Sequence, residues 1–217
     1  MKLYFAPGAC SLSAHIALRE AGAGFDLEQV DLAAKRTKSG ADFRAISPMG
    51  YVPALQLDDG SYIAETTVMC EYLEERFPNP SIIGATAEER ANNRMWMRRI
   101  ELNITENIYN GFRFAEGIEI FKNRVHCIPA AAADLKATAQ EWLAKIDGLM
   151  NGRDFIGGNK LSLADIGLYC CMDFAKDVGQ PINPELKNIS AWFKRVDGRP
   201  SATASLHPAW TQVKMRG

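Results

Sequence analysis

Hydrophobic and polar positions divide the first 80 residues into short elements of alternating type. Residues 1–6 (MKLYFA) form an apolar run of the length of a buried strand, and apolar positions then recur at helical spacing until a stop near Gly22. Residues 25–32 (FDLEQVDL) predict a second strand. A strand, a helix and another strand form a βαβ unit, which implies parallel pairing of the two strands.

Two further strands are predicted as a hairpin in residues 54–63 (ALQLDDGSYI). Two apolar runs flank Asp59-Gly60, a pair that favours a tight turn because glycine accepts the positive φ that the turn needs. A short helix over residues 41–46 and a helix over residues 65–77 complete the order β-α-β-α-β-β-α. These elements predict one domain of mixed strands and helices over residues 1–79.

Beyond a break at residues 79–85 that contains proline and glycine, the pattern predicts helices without strands. Apolar residues recur at helical spacing over residues 87–118, 122–150, 162–178 and 186–197. Ser162 and Asp165 have the spacing of a capping box at the start of the third of these helices. The chain is therefore predicted as an α+β domain followed by an all-α helical domain over residues 86–217.

Composition and charge exclude several functions. The net charge is −1, without a long run of one sign, so neither nucleic acid nor an anionic membrane is an expected partner. No apolar run approaches the ~20 residues of a membrane span, and the N-terminus meets Pro7-Gly8 too early for a signal peptide. Five cysteines without a C-x-x-C pair argue against disulfides and favour a reducing cytoplasm. The three histidines are too widely separated to predict a metal site.

Cys10 and Ser11 stand at the predicted N-terminus of the first helix. A cysteine in this position can be a small buried hydrophobic residue. Alternatively, the helix dipole and the unpaired amide groups favour an anion, so that a thiolate of Cys10 would be stabilised. From the residues alone, both interpretations stay open.

Two dipeptides that flank the hairpin are candidates for binding a peptide-like ligand. Val52-Pro53 is either an edge or turn device or, with a cis bond, a place where a bound peptide pairs with the Val52 backbone as an added strand. Glu65-Thr66 opens the third helix, where the pair either caps the helix or binds the α-amino acid end of a ligand. The second interpretation of each pair predicts a short peptide ligand.

The order of these motifs resembles that of the cytosolic glutathione transferases over the whole chain. The N-terminus MKLYFAPGACSLSAHIALREAG is similar to that of their bacterial beta class. This resemblance implies a thioredoxin-like first domain with glutathione as a co-substrate, no tightly bound cofactor, and a homodimer. It implies an enzyme that conjugates the glutathione thiolate to small hydrophobic electrophiles, a detoxification reaction in the cytoplasm.

The resemblance also implies a role for residues at matching positions. Cys10 would face the glutathione sulfur, with which it can form a mixed disulfide in this class, and Ser11 would donate a hydrogen bond to the thiolate. Glu65 and Thr66 would hold the γ-glutamyl end of glutathione. Cys10 and Ser11 are thus the expected catalytic residues.

Further positions are implied to bind glutathione. Lys35 would approach the carboxylate of the glycine residue of glutathione. Val52, before Pro53, would pair with the cysteinyl backbone. Asn103, in the helical domain, would also reach glutathione.

The helical domain departs from the pattern of the beta class. Its members commonly carry a histidine before a Gly-Phe pair on the first long helix, whereas this chain reads LNITENIYNGF, with Tyr109 nearest that place. Tyr109 is either a core tyrosine or, together with Phe112, part of the pocket for the electrophile.

Three alternative functions remain. Cys10 would also suit a glutathione-dependent thiol–disulfide oxidoreductase or peroxidase. Zeta-type isomerases have a related Ser-Ser-Cys turn, which reads Gly-Ala-Cys at residues 8–10 here. Glutathione-binding modules without enzymatic activity share the fold, although the intact set of expected glutathione-binding positions argues against a chain without a ligand.

Overall fold

The computed structural model describes residues 1–8 and 10–207. The chain forms two compact units: Met1–Arg90 together with the segment that starts at Gly198, and Ala91–Asp197. The sequence boundary, by contrast, put everything after residue 85 into the second domain. Ala9 of the Gly-Ala-Cys turn and residues 208–217 at the end of the predicted second domain lie outside the described residues.

The first unit is built on a five-stranded sheet. Its strands are β1 (Lys2–Phe5), β2 (Asp26–Asp31), β3 (Arg36–Thr37), β4 (Ala54–Gln56) and β5 (Tyr62–Ala64). They lie in the order β3-β2-β1-β4-β5, with β1 parallel to β2 and the other neighbours antiparallel. The strand β3 is additional to the predicted order, because a two-residue strand is too short to show an alternation of apolar and polar positions.

The helices, in chain order, are α1 (Ser11–Glu20), α2 (Phe43–Ile46), α3 (Thr66–Arg76), α4 (Ala87–Ile100), α5 (Glu106–Arg113), α6 (Ile118–Phe121), α7 (Ala132–Leu149), α8 (Leu163–Asp177), α9 (Lys187–Asp197) and α10 (Pro200–Ala204). A π-helical segment, Glu101–Thr105, joins α4 to α5, and a 3₁₀ turn, Pro129–Ala131, precedes α7. None of the described helices is both long and apolar enough to cross a membrane.

The central strand β1 is buried on both faces of the sheet. Leu3 and its cross-strand partner Leu55 are fully buried. The apolar residues of α1 are buried as well, as are Met69, Cys70 and Leu73 of α3, a helix that packs against α1. On the opposite face, Tyr4 lies in a separate cluster with Phe43 of α2 and with Val52. Because successive side chains of a strand point to opposite faces, β1 contributes apolar side chains to the core on both faces of the sheet.

The predicted hairpin is confirmed as β4 and β5, which pair in antiparallel register from Ala54 opposite Ala64 to Gln56 opposite Tyr62. Gly60 lies in the turn with a φ of +86°. The carboxylate of Asp59 accepts hydrogen bonds from the backbone N–H and the hydroxyl of Ser61 and so closes the turn.

The end of the described chain returns to the first unit. Arg199 donates two hydrogen bonds to the carboxylate of Glu20 at the end of α1, at 2.7 and 2.8 Å, and Ser201 donates a third. Burial opposes ionisation of Glu20, but these hydrogen bonds hold its pKa below the ordinary value. The ion pair therefore fixes α10 against α1.

Two predicted helices of the second unit have different bounds. The helix predicted over residues 87–118 is interrupted by the π-helical segment and ends at Arg113. The helix predicted over residues 122–150 begins only at Ala132. Pro129 accounts for the late start, since its ring disfavours helical backbone angles at Ile128, which has φ −122° and ψ 82°.

The predicted capping box at the start of α8 is confirmed. The carboxylate of Asp165 accepts hydrogen bonds from the backbone N–H of Ser162 at 2.9 Å and from its hydroxyl at 2.7 Å. It also accepts hydrogen bonds from the N–H of Ile156 and from Nε1 of Trp192, both at 2.8 Å. Although desolvation raises the pKa of Asp165, every one of its bonds is internal, so its role is to join α8 to its neighbours.

Candidate functional site

The register of the sheet brings three expected site positions of the first unit together. Tyr4 of β1 pairs with Ala54 of β4, which in turn pairs with Ala64 of β5. The residues beyond this row are those that follow β1, precede β4 and follow β5. Cys10, Val52 and Glu65 therefore lie towards the same end of the sheet, although more than forty residues separate the first two in sequence.

Cys10 is the N-cap residue of α1, and its thiol is exposed. The thiol donates a hydrogen bond to the carbonyl oxygen of Val52, with a distance of 3.1 Å between Sγ and that oxygen. The bond between Val52 and Pro53 is cis. The exposed position excludes the interpretation of Cys10 as a small buried residue and places its sulfur at the positive end of a helix dipole.

Ser11, the neighbour of Cys10, is fully buried. Its hydroxyl donates a hydrogen bond to the carbonyl oxygen of Ala6 at 3.1 Å and accepts one from the N–H of the same residue at 3.3 Å. Because a hydroxyl has one proton, this arrangement leaves none for a bound thiolate. The structure thus disagrees with the expected role of Ser11 and gives it a structural one, the connection of β1 to α1.

The remaining cysteines of the described residues are less accessible than Cys10. Cys127 is half-buried, while Cys70, Cys170 and Cys171 are buried. Burial raises the pKa of the Cys70 and Cys171 thiols to about 12. Among these thiols, Cys10 is the one that combines exposure with a helix N-terminus.

Lys35 lies against the turn that precedes Val52. Its Nζ donates a hydrogen bond to the carbonyl oxygen of Gly50 at 2.7 Å and stands 5.8 Å from the ring centroid of Tyr51. Gly50 has a φ of +68°, and a Cβ atom at this position would lie 3.3 Å from Lys35 Nζ. A positive charge is therefore held two residues from Val52.

Glu65 and Thr66 lie at the beginning of α3. Glu65 is the exposed N-cap residue, with a φ of +68° and without a side-chain capping bond. A residue other than glycine in this conformation costs on the order of 1–3 kcal/mol, and such residues cluster at binding sites. The first turn of a helix also presents N–H groups that have no partner within the helix. This end of α3 therefore combines a carboxylate with donors suited to an anion.

Asn103 lies in the π-helical segment of the second unit. Its Nδ2 donates a hydrogen bond to the carbonyl oxygen of Arg99 at 2.9 Å. Single π-helical turns inside α-helices are frequent at functional sites. The expected contact between Asn103 and glutathione stays a prediction.

Tyr109 and Phe112 lie on α5, also in the second unit. Both rings contact Phe174 of α8 in edge-on geometry, with centroid distances of 5.3 and 5.2 Å. Both side chains are half-buried. The structure brings these two expected pocket residues together, with a third aromatic ring that the sequence analysis did not single out.

No group of three histidine, cysteine, aspartate or glutamate side chains within the described residues is arranged to hold a metal ion. His15, on α1, is buried among aromatic rings rather than placed at the site. Burial, with the charge of Arg19 as a second cause, lowers the pKa of His15 to about 4.

Two family models match the chain over the elements that carry these residues. The model of the glutathione S-transferase N-terminal domain matches residues 8–76. The model of the glutathione S-transferase C-terminal domain matches residues 128–200. Together they cover more than half of the chain. The chain belongs to the glutathione S-transferase family.

Relatives of this glutathione S-transferase match nearly its whole length. It is 31% identical to glutathione S-transferase GstA of Escherichia coli O157:H7, over 95% of this chain and 97% of that protein. A sphingomonad glutathione S-transferase complexed with glutathione has 31% identity and a TM-score of 0.80, over 94% of this chain and 96% of that one. The bacterial beta-class enzyme of Sphingomonas chungbukensis has 29% identity and a TM-score of 0.80, with the same two coverages. The resemblance to the beta class and the predicted fold class are confirmed.

Some contacts of this glutathione S-transferase had no signal in the sequence. The contacts of Lys35 with Gly50 and Tyr51 could not be predicted, because they depend on how the turn folds. The Gly-Tyr pair next to Val52-Pro53 indicates only that a turn lies there. The guanidinium of Arg113 lies over the ring of Tyr109. The sequence around Arg113, which follows a Gly-Phe pair, does not indicate this contact.

Proposed function

We propose that this glutathione S-transferase binds glutathione at the end of the sheet where α1 and α3 begin, and transfers its thiolate to small hydrophobic electrophiles. The observation that carries the proposal is the convergence of Cys10, Val52 and Glu65 in the first unit. The Cys10 thiol suits the glutathione sulfur, the Val52 backbone suits the cysteinyl backbone, and the Glu65 carboxylate suits the γ-glutamyl amino group.

Each part of glutathione has a complementary group. The α-amino group of the γ-glutamyl residue pairs with Glu65, and its α-carboxylate is held by the hydroxyl of Thr66 and the N–H groups that begin α3. The cysteinyl backbone pairs with Val52, as an added strand does with a sheet edge. The glycine carboxylate pairs with Lys35, whose charge is held close by. Asn103 is an additional proposed contact.

The transfer needs the thiolate form of glutathione. At neutral pH a thiol with an ordinary pKa of ~8.5 is mostly protonated. The N-terminus of α1, beside Cys10, stabilises negative charge on a sulfur bound there. The thiol proton leaves to solvent, the sulfur attacks an electrophilic carbon, and a C–S bond forms as the leaving group departs with its electron pair. Tyr109 and Phe112 are proposed to contact the electrophile.

A second function, thiol–disulfide exchange, is favoured by the exposed thiol of Cys10 and the buried hydroxyl of Ser11. The Cys10 thiolate attacks the glutathione sulfur of a glutathionylated thiol, which releases that thiol and leaves a mixed disulfide between Cys10 and glutathione. A second glutathione thiolate then attacks this disulfide, so that oxidised glutathione leaves and Cys10 is regenerated. The same binding site serves both reactions.

Assembly and location are also proposals. A homodimer in the cytoplasm is supported by the family and by five free cysteines within the described residues. Large apolar side chains on α4 and the π-helical segment, Met95 and Leu102, are 40% and 55% exposed, as expected for residues that a second subunit covers. Sedimentation velocity tests the dimer. In this setting the conjugation reaction serves detoxification.

Retention on immobilised glutathione, together with turnover of chlorodinitrobenzene, tests the proposed function. Glu65→Gln and Thr66→Val are expected to reduce retention about tenfold, because each removes a charged or polar partner of the γ-glutamyl end. Glu75→Gln, which changes an exposed carboxylate near the other end of the same helix, is the matched control and is expected to behave as the wild type.

Two outcomes would overturn the proposal. Equal retention of Glu65→Gln, Thr66→Val and the wild type would contradict the proposed binding site for the γ-glutamyl end. A wild-type protein that is retained but converts neither chlorodinitrobenzene nor a glutathionylated thiol would be a binding module rather than an enzyme.

A further inference from the structure

Four aromatic rings of the second unit form a continuous half-buried cluster. Tyr109 and Phe112 come from α5, Phe121 ends α6, and Phe174 lies on α8. Phe112 contacts Phe174 and also Phe121, whose centroid is 6.0 Å away in edge-on geometry. All four side chains are partly exposed. We call these four residues the aromatic cluster; its partly exposed rings suit contact with an aromatic ligand.

Two guanidinium groups stand over this cluster. The Cζ atom of Arg113 is 5.7 Å from the ring centroids of both Tyr109 and Phe121. The Cζ atom of Arg124 is 5.1 Å from the centroid of Phe121. Asn110 fixes the first guanidinium by accepting a hydrogen bond from Arg113 at 3.0 Å.

No carboxylate in the described part of the chain forms an ion pair that neutralises the positive charge of these two groups. Within residues 1–8 and 10–207, neither Arg113 nor Arg124 forms an ion pair with a carboxylate. Two carboxylates of the same stretch have other partners: Glu116 binds Lys136, and Glu119 binds Lys122. Glu106 is linked to Arg113 only through Asn110, whose Nδ2 lies 3.3 Å from its carboxylate oxygen.

We propose that the aromatic cluster, with Arg113 and Arg124, binds small aromatic carboxylates. The ligand ring packs against the exposed rings, and its carboxylate accepts hydrogen bonds from a guanidinium, which presents paired donors in a geometry that matches a carboxylate. This inference deepens the proposed function and rests on it for the reaction: the electrophiles that this protein prefers are aromatic and carry a carboxylate.

The alternative is that the two arginines stabilise the fold through the same contacts and bind no ligand. A guanidinium over an aromatic ring contributes about 0.5–1 kcal/mol at an exposed site through cation–π attraction. In that case Arg113 and Arg124 would affect the stability of α5 and α6 but not discriminate between ligands. The affinity for a charged ligand relative to its neutral analogue separates the two roles.

The test is equilibrium binding of dinitrobenzoate and of dinitrobenzene to the full chain at low salt and without glutathione. The wild type is expected to bind the carboxylate about tenfold more tightly than the neutral compound, a difference of about 1.4 kcal/mol. The preference is expected to decrease as salt is added, because partly exposed charges are screened. Equal affinities for the two compounds would overturn the inference.

Variants of Arg113 and Arg124 test whether these two residues cause the preference for the carboxylate. Arg113→Met and Arg124→Glu are each expected to reduce the preference severalfold, and the double variant to abolish it. Arg124 is exposed, so its variant remains informative even where Arg113→Met destabilises the fold. Arg153→Met, at an exposed arginine of the same unit, is the matched control. An unchanged preference in the double variant would overturn the assignment.

Failure of this inference is distinguishable from failure of the proposed function. Since ligand binding is measured without glutathione, it does not depend on the transfer reaction. Wild-type turnover of chlorodinitrobenzene with no preference for the carboxylate contradicts only the inference. Preferential binding of dinitrobenzoate by a protein that does not retain glutathione contradicts only the proposed function.

Discussion

The thiol of Cys10 donates a hydrogen bond to the backbone oxygen of Val52, 3.1 Å from Sγ. A thiolate has no proton to donate, so ionisation of Cys10 releases this carbonyl oxygen. A peptide N–H can then take the place of the thiol as its donor. The charge state of Cys10 and the pairing of a bound peptide with Val52 are therefore coupled.

Cys10→Ala is expected to abolish the reduction of glutathionylated thiols, because the sulfur that would form the mixed disulfide is absent. Retention on immobilised glutathione is expected to persist, since Lys35 and Glu65 are unchanged. A coupled assay of oxidised glutathione and mass spectrometry for the mixed disulfide give the readout, with Cys127→Ala as the control thiol. If the Cys10→Ala variant reduces glutathionylated thiols as fast as the wild type, Cys10 has a packing role and no catalytic one.

Ser11→Ala is expected to reduce the free energy of unfolding by about 1–3 kcal/mol while leaving turnover of chlorodinitrobenzene nearly unchanged. Its hydroxyl satisfies both backbone groups of Ala6 in a buried position, and alanine leaves them without that partner. Urea denaturation measures the change, with Ser61→Ala in the exposed hairpin turn for comparison. Lost turnover at unchanged stability would instead restore Ser11 as a donor to the thiolate.

Glu65→Gly and Glu65→Ala are expected to differ in stability but not in glutathione binding. Both remove the carboxylate and should reduce retention alike. Glycine adopts the φ of +68° without steric cost, so its variant should be more stable than the alanine variant by about 1 kcal/mol. Thermal denaturation provides the comparison. A glycine variant that retains glutathione like the wild type would show that the carboxylate does not bind it.

His15 is expected to make the protein less stable in acid. Its pKa is about 4 in the folded protein, whereas the unfolded chain has an ordinary histidine pKa of ~6.5. Between these values only the unfolded state binds the proton, so the free energy of unfolding falls as the pH decreases from 6.5 to 4, by about 3 kcal/mol. Above pH 6.5 this contribution is constant.

Urea denaturation across this pH range checks the expectation for His15. His15→Leu should lose less stability between neutral pH and pH 4.5 than the wild type does. His126→Leu, at an exposed histidine, should follow the wild type. Identical pH profiles of the wild type and His15→Leu would contradict the assignment.

Local chemistry made several elements predictable from the sequence. The Asp59-Gly60 turn and the capping box of Ser162 and Asp165 depend on residues that are close together in the chain, and both form as expected. In each case the residue types themselves carry the conformational preference.

Other features depend on tertiary packing and could not be predicted. Lys35 and Glu65 have positive φ values although neither is glycine, and nothing in their residue types indicates this. The π-helical segment Glu101–Thr105 interrupts a pattern that is regular in sequence. The direction of the Ser11 hydroxyl was equally open, because a serine next to a cysteine at a helix start can face either solvent or the end of the preceding strand.

The ion pair between Glu20 and Arg199 has a consequence for the order in which the protein is made. The side chain of Glu20 is 10% exposed, and leaving a buried charge without its partner costs about 3–5 kcal/mol. During translation, the first unit therefore lacks part of its own structure until the codons for residues 199–201 have been read and that segment has left the ribosome. The first unit is completed by residues that are made only after the whole of the second unit.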